Sequence, residues 1–374
     1  MQEPPESVLK SFPKPNYVNP ETRGNSNIIL NIVLFTLLIW FISLRIFTRT
    51  SLKCVFGADD VCILLAVIPT TIFFIISILA DAKYLWIRHA YDIPVDNVPT
   101  GLKMVLGAQL AFALACTLTK LSMLMLVRRL LSSSTIFWRR VTLLGIIVVA
   151  TQGSVFCITV IFQCRPPQDY WKLTKDPQLN CVDQQSSLLV AGIINTLTDF
   201  LAVILPIRTV WCLQLPPRQA LMIMLLFAFG FISCGAGIAR TYYMWEVTQT
   251  WDRTWASYPV WITAAIELYV GMICASIPAT KPFFTTYLPQ IFGTLSSIPS
   301  EASFKTQKRL QKRPHMGMVI FDAQTDEVCF QKVLRSSRRE TSAMVAYRSE
   351  SGGEGDYGSQ ILITQTFDLE KGKL

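Results

Sequence analysis

Charge is scarce in this sequence. Only 16% of its 374 residues are charged and 51% are hydrophobic, whereas ordinary soluble domains carry about 25% charged residues. This composition excludes an ordinary soluble protein and predicts a chain embedded in a lipid bilayer. The 34 Lys and Arg residues outnumber the 25 Asp and Glu residues, but they are spread between apolar runs rather than gathered in one patch. We therefore expect no nucleic-acid partner.

Histidine is almost absent, because the sequence contains only His89 and His315 and both fall in predicted loops. This excludes a histidine metal centre, a haem pair and an intramembrane Ser–His dyad. A retinal chromophore would need a lysine deep in the last predicted helix, but Glu267 stands at mid-helix and Lys281 lies at the inner end. We therefore assign no catalytic residue, no metal and no cofactor, and we favour a protein that is not an enzyme.

Cysteine is too sparse for a secreted disulfide scaffold, since ten residues are scattered over the whole length and most fall inside apolar runs. A thiol in such a run acts as a small hydrophobic side chain. The first residues also lack the basic, apolar and small-residue order of a signal peptide. We expect residues 1–24 to form a polar extracellular tail that is retained.

Long apolar runs are abundant. A helix needs about 20 apolar residues to cross about 30 Å of hydrocarbon, and seven stretches have about that length. They predict an all-α, polytopic membrane protein with a receptor-like bundle over residues 25–284, followed by a largely disordered cytoplasmic tail over 285–374. The seven predicted transmembrane helices are 25–47, 60–80, 104–127, 141–163, 187–211, 220–243 and 258–282.

Basic residues near the helix ends predict the orientation. Arg45, Arg49 and Lys53 follow the first helix, while Arg23 precedes it. Since Lys and Arg are enriched on the cytoplasmic side, the amino terminus should lie outside and the carboxyl terminus in the cytoplasm. The result is a multi-pass integral membrane protein. The plasma membrane is the default location, and an endomembrane is the alternative.

Three further basic residues lie towards the cytoplasmic end of the third predicted helix. Arg128 and Arg129 end the apolar run, and Lys120 lies about two turns before them. A lysine at that depth is close enough to extend its ammonium group to the membrane surface. We therefore interpret Lys120, Arg128 and Arg129 as anchors at the inner face.

Two cysteines differ from the others because they flank a loop. Cys164 and Cys181 lie between the fourth and fifth predicted helices, on the outer side of the predicted topology. Disulfides persist in such oxidising compartments. A bridge here would stabilise the fold by about 3 kcal/mol and hold the loop over the mouth of the bundle. The alternative is two free thiols.

Ionisable residues inside the predicted spans are costly and usually face the bundle interior with a partner. Glu267 and Asp199 lie at mid-helix, and Arg240 lies towards an outer end. We expect Glu267 to pair with Arg240, and Asp199 either to join them or to bind Asn195 through water. Such an intramembrane polar network would bind a polar ligand or relay a conformational change, or it would be a structural clasp.

Two adjacent carboxylates begin the second predicted helix. Asp59 and Asp60 complement the helix dipole and can cap free backbone N–H groups. The alternative is a magnesium–diphosphate site, which would need another carboxylate about three residues on, where Ile63 stands. We therefore interpret the pair as a helix cap.

Several short motifs follow one another in a characteristic order. Together they resemble the fungal rhodopsin-domain family of seven-helix integral membrane proteins, which includes receptor-like proteins of plant-pathogenic fungi and satratoxin-cluster membrane proteins. The resemblance covers about residues 25–284. It implies a receptor-like bundle, a fungal source and often a gene beside secondary-metabolite genes, but no particular ligand or reaction. The motifs are Gly57-Ala-Asp-Asp60, Thr119-Lys-Leu-Ser122, Phe162-Gln-Cys-Arg-Pro-Pro167, Asn195 with Asp199, Gly230 through Arg240, and Ile266-Glu267 with Pro278.

Two functions are open at this point. The first is an orphan receptor-like protein that senses a small molecule without retinal, beneath the Cys164–Cys181 loop, and reports to a cytoplasmic signalling partner by population shift. The second is a membrane accessory of a secondary-metabolite gene cluster, either a transporter of product or an enzyme on a lipophilic intermediate. The expected partners are the lipid bilayer and an unidentified small molecule or metabolite.

Overall fold

The computed structural model describes residues 5–52, 56–130, 136–172, 174, 181–211 and 217–287. Most of this part of the chain is helical, and seven helices in it are long. The cytoplasmic tail expected over 285–374 falls outside the described residues from position 288 onward. We label the long helices α1 (Ser26–Phe47), α2 (Ala58–Ala82), α3 (Val98–Leu130), α4 (Ile136–Ile161), α5 (Gln184–Trp211), α6 (Pro217–Gln249) and α7 (Arg253–Tyr287).

Six helical segments among the described residues are long and apolar enough to cross a bilayer. They contain α1, α2, α3, α4, α5 and α7, so the prediction of an all-helical, multi-pass membrane protein is confirmed. The seventh predicted span corresponds to α6, which forms one continuous helix. Its crossing of the membrane, like the orientation of the termini, stays a prediction.

The helices are longer than the apolar runs that predicted them. Helix α3 begins at Val98 rather than at 104, and α7 extends over Arg253–Tyr287 rather than 258–282. The 35 residues of α7 span about 52 Å at 1.5 Å per residue, well beyond about 30 Å of hydrocarbon. The length of an apolar run corresponds to the thickness of the hydrocarbon layer. The helix itself can continue beyond that layer, because its backbone hydrogen bonds do not depend on apolar side chains.

The core of the bundle lies around α3 and α7. In their apolar windows 67% and 78% of the residues are buried, compared with 22% for both α1 and α4. Tyr269 and Met272 of α7 are fully buried, and Phe73 of α2 packs in the same cluster. On α1, by contrast, large apolar side chains such as Ile29 and Ile32 are exposed. These outward side chains face lipid, so α3 and α7 are the interior helices.

Two glycines allow neighbouring helices to approach closely. A Cβ atom on Gly153 of α4 would overlap the side chain of Thr117 on α3, and one on Gly192 of α5 would lie 2.8 Å from Thr241 on α6. Small residues at such positions are the usual means of close helix packing in membranes. They fix the distances between the four helices that surround the site described below.

The alternating directions of the helices give the bundle two ends. We call one the disulfide end, because it carries the Cys164–Cys181 loop together with the N-terminal segment and the connections before α3 and α7. We call the other the arginine end. It carries the connection between α1 and α2, beside Arg45 and Arg49.

Candidate ligand cavity and intramembrane ion-pair network

The loop between α4 and α5 is held closed by a disulfide bond. Cys164 and Cys181 are joined, and Cys164 is fully buried. The backbone N–H of Val182 also donates to the carbonyl of Gln163 at 2.7 Å. Within the loop, Tyr170 ends a short 3-10 helix and is buried. The predicted disulfide is therefore present, and it fixes the loop against the bundle.

A large cavity lies beneath this loop, in the half of the bundle nearest the disulfide end. Its volume is about 680 Å³, and residues of α3, α4, α5, α6 and α7, together with Phe73 of α2, form its walls. This is the size range of small-molecule sites in proteins. The disulfide loop contributes to its roof through Tyr170 and Cys181. Its aromatic lining comprises Phe73, Trp86, Phe112, Phe156, Tyr170, Trp251 and Trp261.

The connection between α2 and α3 forms another part of this roof and is tied to the start of α7. The imidazole of His89 contacts the carboxylate of Asp252 and stacks on the ring of Trp255, with 3.9 Å between ring centroids. The guanidinium of Arg23, in the N-terminal segment, lies over the Trp255 ring at 4.4 Å from the ring centroid. The backbone of Arg23 also donates to Ile87. These contacts position the connection over the cavity.

The floor of the cavity is polar. Arg240 of α6 and Asn195 of α5 both line it. Arg240 Nε donates to Glu267 Oε2 of α7 at 2.7 Å, and its Nη2 is 3.4 Å from Oε1. Its guanidinium also lies 4.7 Å from the ring centre of Phe112. The ion pair expected between Arg240 and Glu267 is therefore present and buried.

Asn195 connects this ion pair to a second one. Its amide nitrogen donates to Glu267 Oε1 at 2.6 Å and lies 3.3 Å from Asp199 Oδ2. Lys120 Nζ of α3 is 3.0 Å from Asp199 Oδ1. The same ammonium group donates to Asn195 Oδ1 and to Thr198 Oγ1, both at 2.9 Å. Two cations and two anions thus form one neutral network across four helices, in direct contact rather than through water.

Lys120 is not the surface anchor that the sequence predicted. Its side chain is 7% exposed and is paired with Asp199. The reason is that α3 lies in the interior of the bundle, where a partner on α5 is nearer than the membrane surface. Arg128 and Arg129 do lie exposed at the end of α3. An unpaired ammonium group would raise the free energy of the folded protein in the hydrocarbon region, and the ion pair with Asp199 reduces this penalty.

The carboxylates of Asp59 and Asp60 have a second role beside the predicted one. Asp60 accepts a hydrogen bond from the backbone N–H of Gly57 at 3.1 Å, which is a cap contact. However, both carboxylates are buried against Arg45 of α1, at 3.1 Å from Asp59 and 2.9 Å from Asp60. Two further arginines, Arg49 and Arg129, approach Asp59. The predicted cap contact is therefore present at Asp60, and both carboxylates also form ion pairs that the sequence did not predict.

Arg45 links four helices at the arginine end. Its Nη1 donates to the carbonyl oxygen of Ala275 on α7 at 2.7 Å. Ser122 of α3 donates to the carbonyl of Asp59 at 2.6 Å and lies 3.5 Å from Arg45 Nη2. Sequence reasoning missed this cluster because Arg45 and Arg49 were counted as surface charges. The available signal was their spacing of four residues, which places both on one helix face towards the Asp pair.

No group of three or more His, Cys, Asp or Glu residues within the described ranges is arranged to hold a metal ion. The carboxylates that come closest to one another, in the two clusters above, are matched by Arg and Lys. The arrangement is therefore suited to binding and to coupling between helices.

A family model called the fungal rhodopsin domain matches residues 44–286. The chain belongs to this family. The match covers α2 to α7 and the cavity between them, and it confirms the resemblance found in the sequence. No solved structure matches the chain.

Three relatives illustrate the range of this family. The chain is 29% identical over 212 residues to a SAT4 family membrane protein of Emericella nidulans, covering 56% of this chain and 52% of that one. It is 26% identical over 207 residues to the Receptor GIN3 of Arthrobotrys oligospora, covering 55% and 49%. It is 27% identical over 196 residues to the Satratoxin biosynthesis SC1 cluster protein 4 of Stachybotrys chartarum, covering 52% and 67%. The chain spans about half the length of the first two relatives.

Proposed function

We propose that this protein is a receptor that binds a small molecule in the cavity at the disulfide end. The observation that carries the proposal is the cavity of about 680 Å³ whose floor is formed by Arg240 and Asn195. A ligand that reaches this floor contacts side chains already engaged in the neutral network. Ligand binding therefore changes the free energy of the contacts that join α3, α5, α6 and α7.

The route to the opposite end runs through the two interior helices. Helix α7 carries Glu267 in the network and Ala275 in the arginine-end cluster. Helix α3 carries Lys120 in the network and Ser122 in that cluster. Since eight residues of helix span about 12 Å, a shift of α7 at the cavity floor displaces the acceptor of Arg45. A ligand that favours one of two such arrangements would change their populations.

The disulfide end is proposed to face the outside or a lumen. Disulfide bonds persist in oxidising compartments, and this orientation also leaves Arg128 and Arg129 on the cytoplasmic side, as the distribution of basic residues predicts. A cytoplasmic signalling partner would then meet the arginine end. The plasma membrane is the proposed location, because an external ligand would enter the cavity there.

Retinal is not part of the proposal. The cavity is lined by α7 residues up to Ala264, and Lys281 lies 17 positions further along the chain. At 1.5 Å per residue this is about 25 Å along the helix. A Schiff base on that lysine would therefore not bring a chromophore into the cavity.

The second candidate function is an accessory role in secondary-metabolite biosynthesis. It is favoured by the name of the Stachybotrys relative and by the apolar walls of the cavity, which suit a lipophilic intermediate. Transport or catalysis would both use this cavity. Catalysis would further need a carboxylate free to move a proton, but Glu267 and Asp199 are engaged in ion pairs. The geometry therefore supports binding more than turnover.

The two functions are separated by a strain that lacks the gene and is complemented with variants. Ala264→Phe fills the cavity, because Ala264 is buried in its wall. Ala228→Phe adds the same ring to an exposed position of α6 and serves as the matched control. Both variants are first checked for equal surface expression.

Metabolites are then measured by mass spectrometry in cells and in medium, with and without external extracts. A receptor predicts unchanged pathway intermediates and a response to extracts that is lost only with Ala264→Phe. Accumulation of a precursor, or retention of product inside the cells, would instead assign the accessory role.

A further inference from the structure

Two polar atoms in the cavity wall are buried without a hydrogen-bond partner. They are Oε1 of Gln109 on α3 and Nε of Arg253 at the start of α7, and neither has a partner among the described residues. Buried polar groups are satisfied in the great majority of cases, because an unmade hydrogen bond costs free energy. Gln109 and Arg253 both line the cavity, so a ligand that supplies a donor to Gln109 and an acceptor to the Arg253 guanidinium would complement this wall.

The charge of the cavity wall depends on Arg253. The other cationic residue of the wall, Arg240, is neutralised by Glu267. Asp183 lies exposed at the rim, where Ser186 donates to its carboxylate at 2.6 Å. Arg253 has no ion pair within the part of the chain that the structure describes. Away from the exposed Asp183 at the rim, the described lining therefore carries one positive charge without an ion-pair partner, on Arg253.

The neighbouring phenol does not neutralise Arg253. Burial raises the pKa of Tyr170 to about 12, even though the positive charge of Arg253 acts in the opposite direction. Tyr170 is thus a neutral phenol at physiological pH. The side chain that lies close to Arg253 in the roof supplies polarity but no negative charge.

The rest of the lining is aromatic. Trp86, Phe112 and Trp261 contribute large apolar surfaces. Aromatic walls also suit organic cations, but the unpaired positive charge of Arg253 in the same wall opposes a cationic ligand. A ligand with an apolar body and an acidic group would pack its body against the aromatic walls and pair its anion with Arg253.

We propose that the ligand is an amphipathic organic acid, with its anionic group on Arg253, its apolar body against the aromatic walls and a hydroxyl or amide donor directed to Gln109. This inference rests on the proposed function, because it assigns the chemical class of the molecule that the cavity receives. Organic cations should therefore not bind in the cavity, and neutral analogues of the same shape should bind with lower affinity than the acid.

The test uses the full chain in phosphatidylcholine nanodiscs and a matched pair of probes, dansyl-undecanoic acid and its methyl ester. The tryptophans in the cavity wall transfer excitation energy to a dansyl group bound there. The acid should bind at least about tenfold more tightly than the ester, which is the gain from one charge-assisted hydrogen bond. Arg253→Gln should remove this preference, so that acid and ester bind with similar affinity, and thermal unfolding of the variant in the same nanodiscs shows that it is folded.

Two variants complete the charge comparison. Arg253→Lys keeps the charge and should retain part of the preference for the acid. Arg165→Gln removes an exposed charge from the disulfide end without touching the cavity, so it should behave as the unchanged protein. Equal binding of acid and ester, or an unaltered preference in Arg253→Gln, would overturn the assignment of an acid.

Failure of the proposed function gives a different result. Ala264→Phe should remove the binding of both probes, because it fills the cavity that they share. If both bind equally well to Ala264→Phe, or if neither shows saturable binding to the unchanged protein, the cavity is not the site and both proposals fail. If Ala264→Phe blocks both probes but they bind with equal affinity, the cavity is a site and only the acid is wrong.

Discussion

Asn195 of α5 donates a hydrogen bond of 2.6 Å to Glu267 of α7, and this contact joins two ion pairs into one network. On one side Glu267 is paired with Arg240, and on the other Asn195 contacts Lys120, which is paired with Asp199. The free-energy cost of these charges in the hydrocarbon region is reduced because each charge has a partner of opposite sign and the net charge of the network is zero. The cavity floor is therefore both a contact surface for a ligand and a constraint on four helices.

Glu267→Ala should lower the free energy of unfolding by about 3 to 5 kcal/mol, because it leaves the buried guanidinium of Arg240 unpaired. The double variant Arg240→Met with Glu267→Met removes both charges and should recover most of this loss. Thermal unfolding of the purified protein in one detergent measures both. A double variant no more stable than the single one would show that the pair is not the reason for the loss.

Lys120→Met should destabilise the protein by about 3 kcal/mol, since it strands the carboxylate of Asp199 in the bundle interior. Arg128→Met removes a basic residue from the exposed end of the same helix and should change stability by no more than about 0.5 kcal/mol. The same unfolding assay compares them. Equal effects would restore the interpretation of Lys120 as a surface anchor.

Arg45→Met should cost about 3 to 5 kcal/mol, because Asp59 and Asp60 lose their most buried partner and α7 loses a hydrogen bond at Ala275. Ser43→Ala, at an exposed position of α1, is the control. The free energy of unfolding is again measured. If Arg49 and Arg129 compensate fully for the lost charge, Arg45→Met will be as stable as Ser43→Ala. The proposed link between α1 and α7 then fails.

The disulfide is expected to contribute about 3 kcal/mol, as estimated for a closed loop of this length, since 17 positions separate Cys164 from Cys181. The variant Cys164→Ala with Cys181→Ala should unfold at a correspondingly lower temperature, whereas Cys157→Ala, a free cysteine of α4, should show a smaller change.

The same bond tests the orientation. A membrane-impermeant phosphine applied to intact cells should free two thiols, which a thiol-reactive mass tag then counts after denaturation. The proposed orientation predicts the tag with the impermeant reductant alone. Labelling that requires a permeant reductant would contradict an outside-facing disulfide end at the plasma membrane, and the same assay on sealed endomembrane vesicles would then distinguish a lumenal from a cytoplasmic position.

Tyr170 predicts a loss of stability at alkaline pH. Its pKa is about 12 in the folded protein, above about 10 in an unfolded chain. A raised folded pKa contributes stability that is complete below pH about 10 and is lost as the pH rises from about 10 to about 12, by up to about 2 to 3 kcal/mol. Tyr170→Phe should lack this part of the pH dependence. The unfolding midpoint of the unchanged protein should therefore fall more steeply across this interval than that of Tyr170→Phe.

Much of the fold follows from local properties of the sequence. The length of each apolar run predicts a span, and each predicted span overlaps one described helix, although α1 begins one residue later and α4 ends two residues earlier than predicted. The position of Cys164 and Cys181 in one loop predicts their bond. The positions of Glu267 at mid-helix and of Arg240 towards the outer end of its helix predict their pairing, because the two depths are compatible. These inferences need only the positions of residues along each helix.

Tertiary structure decided which helices are neighbours. Lys120 and Arg45 looked like surface cations because basic residues near an apolar run usually reach the membrane surface. Their partners lie at Asp199, 79 positions away, and at Asp59 and Asp60, 14 and 15 positions away. The cavity likewise belongs to no single segment, since residues of six helices and three connections line it. The sequence shows the charge and apolarity of each helix separately. The ion pairs and the cavity form only when packing places α3 and α7 in the interior of the bundle.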